Sequence, residues 1–209
     1  DHGTSRGLGD VYKRQGDNTP FILPLTSTAS SANNKGYIIQ SDRAVYVSVR
    51  LSGGTSQSQA GSLVSKGLSG LGRTFRVGTF TTQRDFSNED DYVNFISVMA
   101  VENNTQIDFS ELAAGVIIEN NTPLSIVLNA GETYVIAINP LITDANKDGL
   151  IGALVSSDKD IVVNCGSFNG GNNSEFGRDA GFDQIAPLKT IDIDGQAYSC
   201  LLYTSDAAD

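Results

Sequence analysis

The sharpest chemical signal in the chain is Asp144-Ala145-Asn146-Lys147-Asp148-Gly149-Leu150-Ile151. Side-chain oxygens stand at the first, third and fifth positions, glycine at the sixth, and a backbone carbonyl is available at the seventh. This is the first half of an EF-hand loop, where alternate residues turn their oxygens toward a calcium ion and glycine permits the sharp turn. The ligands would be Asp144, Asn146, Asp148 and the Leu150 carbonyl. The pattern fails at the twelfth position, where Val155 replaces the bidentate glutamate. A Ca2+-stiffened loop would therefore need a remote carboxylate, such as Asp160 or Asp179. The competing reading is a polar turn leading into a strand.

A second polar cluster is Gly177-Arg178-Asp179-Ala180-Gly181-Phe182-Asp183-Gln184. It reads as a binding loop through Arg178, Asp179, Asp183 and Gln184, or as a polar plug whose aspartates accept backbone N–H bonds. The plug is preferred, because loops rich in Gly and Asp tend to satisfy their own backbone. The run Glu89-Asp90-Asp91 reads as a solvated loop, since a charge run carries little geometric information. Nucleophilic catalysis has no base to drive it: the single histidine, His2, lies in an atypical terminal segment. Cys165 continues a strand pattern and reads as a small buried thiol. A carboxylate-based glycan-processing enzyme using Asp179, Asp183 or Glu175 would need two acids about 5–10 Å apart across a cleft.

The chain that must position these groups has 209 residues, 39% of them hydrophobic, and a net charge of −10. No apolar run approaches the roughly 20 residues of a membrane-spanning helix. The acidic balance argues against nucleic acid as a partner, because phosphate contacts need clustered Lys and Arg. Residues 5–15 (SRGLGDVYKRQ) and 200–209 (CLLYTSDAAD) resemble translated sequencing adapters read in opposite directions. The expected organisation is an artefactual 1–15, the C-terminal part of a first β module over 16–72, a second β module over 73–199, and an artefactual 200–209.

Period-two alternation dominates the interior. Val45, Val47 and Val49 share one face, as do Ile107 and Phe109, and Tyr134, Ile136 and Ile138. Polar segments at 102–104, 129–132 and 156–159 separate such runs and predict three hairpins. Segments 52–61 and 167–181 predict exposed loops, and 62–71 a short helix or turn. A shift of 116 residues aligns 22–54 on 138–170 without gaps, with nine of 33 positions identical, including Gly36/Gly152, Ser41/Ser157, Asp42/Asp158 and Val47/Val163. The expected fold is all-β: antiparallel sandwich-like modules in a tandem pseudo-repeat, with a propeller-like packing of hairpins as the alternative.

Several segments carry a resemblance in chain order. They are Phe95-Ile96-Ser97-Val98-Met99-Ala100-Val101-Glu102-Asn103-Asn104-Thr105, Leu128-Asn129-Ala130-Gly131-Glu132-Thr133-Tyr134, Ser157-Asp158-Lys159-Asp160-Ile161-Val162-Val163-Asn164, Gly166-Ser167-Phe168 and Asp179-Ala180-Gly181-Phe182-Asp183-Gln184. Gly67, Leu71-Gly72 and Phe75-Arg76-Val77-Gly78 precede them. Together they resemble the IgGFc-binding protein N-terminal domain family. The resemblance implies a non-catalytic extracellular binding or adhesion module of a larger secreted or cell-surface protein, bacterial in origin. Its implied partners are a protein or glycan ligand and the flanking domains of the same chain, with no membrane insertion by this segment. A structural spacer of an adhesin is the rival role.

Overall fold

The computed structural model describes residues 32, 35–53, 59–78, 93–121, 123–170, 179–193 and 196–200. Among these the strands are β1 (Ser48–Gly53), β2 (Gln59–Val64), β3 (Gly72–Arg76), β4 (Asn94–Ala100), β5 (Thr105–Ser110), β6 (Ser125–Leu128), β7 (Thr133–Ile138), β8 (Leu154–Gly170), β9 (Asp179–Gln184), β10 (Lys189–Ile193) and β11 (Gln196–Cys200). Three short 3-10 turns are the only helical pieces among the described residues. None is long or apolar enough to cross a membrane.

The expected antiparallel, all-β architecture is present as one seven-stranded curled sheet and two small two-stranded ones. The sheet is organised around β8, which runs 17 residues without interruption. One edge of β8 pairs first with β5 and then with β4; the other edge takes β3 and then β9. In the next layer out, β6 pairs with β5 and β7 with β4. Segments 94–110 and 125–138 are thus two long strands, each bent once, lying beside a bent β8. From Ala100 to Ile107 one strand advances seven residues, while β8 advances four, from Ser157 to Ile161. The three extra residues form the bend. Bends of this kind let a sheet turn a corner and close over its own core.

The three predicted hairpins are therefore corrected: 102–104, 129–132 and 156–159 are corners within long strands, not reversals between paired ones. They lie side by side and bind one another. Asn103 Oδ1 accepts from the Ala130 N–H at 3.1 Å, and Asn129 Oδ1 accepts from the Asn104 N–H at 3.4 Å. On the far side, Asp158 Oδ1 accepts from the Gln106 N–H at 2.8 Å, and the Lys159 ammonium donates to the Asn103 carbonyl. Asn104 (φ 54°) and Gly131 (φ 81°) take the left-handed conformation the corner requires. The propeller alternative is likewise replaced, because seven of the described strands share one sheet.

Alternation fills the concave side. Ile96, Val98 and Ala100 of β4, Ile107 and Phe109 of β5, Tyr134, Ile136 and Ile138 of β7, and Val155, Ile161, Val163 and Cys165 of β8 form one buried cluster with Phe75 of β3. Phe109 and Tyr134 meet across the fold at a ring-centroid distance of 6.1 Å. Such burial stabilises by about 1.5–3 kcal/mol per large side chain.

Other expectations shift. Part of the predicted loop 52–61 belongs to the β1–β2 hairpin, and part of 167–181 to the β8–β9 hairpin. Within 62–71 only Gly67–Gly70 makes a 3-10 turn. The two aligned copies differ where both are described: 154–163 lies in β8, whereas 38–47 carries no strand. Val49, which the 116-residue shift places on the buried Cys165, is exposed, because no second layer covers β1 among the described residues.

Candidate functional site

The Asp144 segment forms a 3-10 turn over Asp144–Lys147, capped by Thr143, whose hydroxyl accepts from the Asn146 N–H at 3.3 Å. Two of the four expected ligands, Asn146 and Asp144, face different ways. Asn146 is fully buried and points inward. Its Oδ1 accepts from the Ile117 N–H at 2.9 Å, while its Nδ2 donates to the Ile117 carbonyl at 2.9 Å and the Asn139 carbonyl at 2.8 Å. The amide thus pairs with Ile117 as a neighbouring strand would. Asp144 points to solvent and pairs with Lys147 at 3.0 Å. Asp148 is exposed, and the Leu150 carbonyl accepts from the Ala153 N–H at 3.2 Å, while its side chain belongs to the core. Asp160, a possible remote carboxylate, pairs with Arg73 at 3.1 Å. No group of three or more acidic, His or Cys side chains able to hold a metal occurs among the described residues.

The polar cluster at 179–184 forms β9, and its side chains join that strand to β2 and to Lys66 just after it. Asp179 Oδ1 accepts from the Ala60 N–H at 2.5 Å and from its neighbour Ala180 at 3.0 Å. Gln184 is buried, and its Oε1 accepts from the Lys66 N–H at 2.5 Å. The Lys66 ammonium bridges Asp183 at 3.0 Å and donates to the Gln184 carbonyl. Asp179, Asp183 and Gln184 are thus brought together along one seam. Arg178 and Glu175 lie outside the described residues, as does Glu89-Asp90-Asp91.

Glycines set how closely this seam and the strands around it pack. A Cβ on Gly61 would lie 2.5 Å from both the Ala180 carbonyl and the Phe182 ring; one on Gly166 would lie 2.2 Å from the Gly181 carbonyl. A Cβ on Gly72 would lie 2.3 Å from Pro187. Lys66 and these glycines were not singled out as site residues by sequence reasoning. Glycine inside a strand pattern is a legible sign of close backbone approach; a lone lysine carries no such sign.

Cys165 is buried as expected. Its thiol donates to the Gly78 carbonyl at 2.8 Å, and burial pushes its pKa up to about 11. That is an inert thiol rather than a nucleophile. The Arg76 guanidinium, hydrogen-bonded to Glu111, holds that carboxyl below its usual range. Beside Lys66, the residues Tyr37, Ile39, Val45, Val47, Ser65 and Gly67 line an open groove of about 190 Å³.

No curated protein and no solved structure matches this chain. A family model described as IgGFc binding protein matches residues 60–200. That span begins at the strand carrying Gly61, encloses the three corners and the whole β8 ladder, and ends with β11. The match covers more than half of the chain and contains the elements that carry the resemblance in the sequence, so this protein belongs to the IgGFc-binding protein family.

Proposed function

We propose that the chain is a non-catalytic, ligand-binding module of a larger extracellular protein, secreted or held at a bacterial cell surface, with a protein as its ligand. The observation that carries this reading is the family match across the curled sheet. Side-chain geometry supports it: the acids that could have served a hydrolase, Asp179 and Asp183, tie β9 to β2. The family's description makes the Fc region of immunoglobulin G the first ligand to test. Immobilised Fc should capture the full chain in biolayer interferometry, with dissociation slow enough to fit. A flat response to Fc and to a panel of mucin-type glycans would instead favour the spacer role, which suits a module with an apolar face available to neighbours.

Calcium at the Asp144 turn is a separate part of the proposal, because Asp144 and Asp148 keep exposed carboxylates beside it. Thermal melts with calcium and with chelator decide the matter. A higher midpoint in calcium supports a bound ion, and an unchanged midpoint removes it.

A further inference from the structure

Residues 37–49 expose more apolar surface than their sequence pattern warrants. Tyr37 is 52% exposed, Ile39 58%, Val45 60%, Tyr46 76% and Val49 45%. Scattered apolar residues on a surface are ordinary, but a contiguous set around a groove marks an interaction face. The 116-residue alignment places Ile39, Val45, Val47 and Val49 on Val155, Ile161, Val163 and Cys165. Those four are all buried, and all face the core from β8.

Strand pairing repeats the comparison. In the aligned frame β1 falls on the second half of β8, residues 164–169. There β8 pairs on one edge with β9 and on the other with β4. β1 already has a counterpart of β9: it pairs antiparallel with β2, forming a hairpin like that of β8 and β9. Its other edge, where the aligned strand receives β4, carries no strand among the described residues. Among the described residues, the same sequence pattern thus has one partner strand in place and no second one. This also accounts for the difference at 38–47, whose counterpart 154–163 is held as a strand by β3, β4 and β5.

We infer that residues 38–53 are the β8 equivalent of a preceding module of the same kind, and that their apolar face and free edge receive that module's β4–β5 strand. The occupant is a bent antiparallel strand with aliphatic residues at every second position, as in Asn94–Ser110. This goes beyond the binding role proposed above and does not depend on it.

The test is to join a copy of residues 72–137 directly ahead of Ile22, which stands where Ile138 stands in the alignment. Amide hydrogen exchange is then compared with the parent chain. Peptides covering 38–53 should exchange at least tenfold more slowly in the extended chain, while peptides covering 154–167, which the added copy lacks, keep their protection. Val47→Asp should return 38–53 to the parent rate in the extended chain. Equal exchange of 38–53 in both chains, with the original module protected, overturns the inference.

A second measurement uses the parent chain alone. Val45→Asp should leave its melting temperature within about 1 °C, because the face is uncovered there. A loss of several degrees would mean the chain already covers this face, and the inference fails. It fails equally if the parent chain sediments as a concentration-dependent dimer that Val45→Asp dissociates, since a second copy would then be the occupant.

Discussion

A side-chain amide can imitate a strand, and Asn146 does so with all three of its hydrogen bonds to backbone groups. Asn146→Ala would leave the Ile117 N–H and carbonyl without this partner in a part-buried place, and the Asn139 carbonyl without it in a buried one. Each unsatisfied buried group costs about 1–3 kcal/mol, and partial solvent entry relieves some of that. A loss of about 3 kcal/mol in urea unfolding is expected; a loss below 1 kcal/mol would mean the plug is replaceable. The spacing Asp144-x-Asn146-x-Asp148 showed a turn with alternating oxygens but not which way they point. That direction is set by Ile117, 29 residues away, which no local pattern reveals. Cys165 was more legible, because a thiol at an inward strand position has one ordinary fate. Its burial also makes stability depend on pH. The folded thiol holds its proton to about pH 11, against an ordinary value of 9.0. Stability is therefore full below pH 9 and falls between pH 9 and 11, by about 2–3 kcal/mol at roughly 1.4 kcal/mol per pH unit. Tyr134, also raised by burial, acts in the same direction at higher pH. Cys165→Ala should flatten the slope between pH 9 and 10.5 in denaturant melts; an unchanged slope would assign it to other groups.

At the level of elements, strands were legible and their partners were not. Alternation at Ile107 and Phe109, and at Tyr134, Ile136 and Ile138, is the pattern of a half-buried sheet and is where the core lies. A corner and a hairpin turn, however, call on the same residues. Both need left-handed backbone and side chains that bond nearby N–H groups, so Asn, Asp and Gly serve either. The difference lies in what the flanking strands pair with, and β4 and β5 both pair with β8 rather than with each other. The corners nevertheless contain a testable sign of their adjacency. Asn103 and Asn129 exchange side-chain hydrogen bonds with each other's strand. Each of Asn103→Ala and Asn129→Ala should cost about 1 kcal/mol. Because the two bonds hold the same pair of bends together, the double variant should cost less than the sum by about 0.5 kcal/mol or more. Strict additivity in a double-mutant cycle would show that the corners are held independently.

Across the whole molecule, the β1–β2 hairpin is joined to the curled sheet through the seam between β2 and β9. Its polar contacts are Asp179 to Ala60, Gln184 to Lys66, and the Lys66–Asp183 pair. The charge pair is partly exposed and contributes little on its own, about 0–1 kcal/mol. The buried Gln184 is different, since its removal leaves the Lys66 N–H without this acceptor in a tight contact also lined by Gly70. Elements attached by few contacts open without global unfolding, at a free energy below that of the core. Gln184→Ala should therefore act on the seam first. Amide exchange in 48–53 and 59–64 should quicken about tenfold or more, the equivalent of roughly 1.4 kcal/mol, while the Ile96, Val98 and Val163 amides keep their protection. Asp183→Asn should quicken the same peptides by less than about fivefold, because it removes only the charge. If Gln184→Ala instead accelerated exchange uniformly through β4, β7 and β8, the hairpin and the sheet would be one cooperative unit. The close packing at Gly61 would then outweigh the polar seam in joining them.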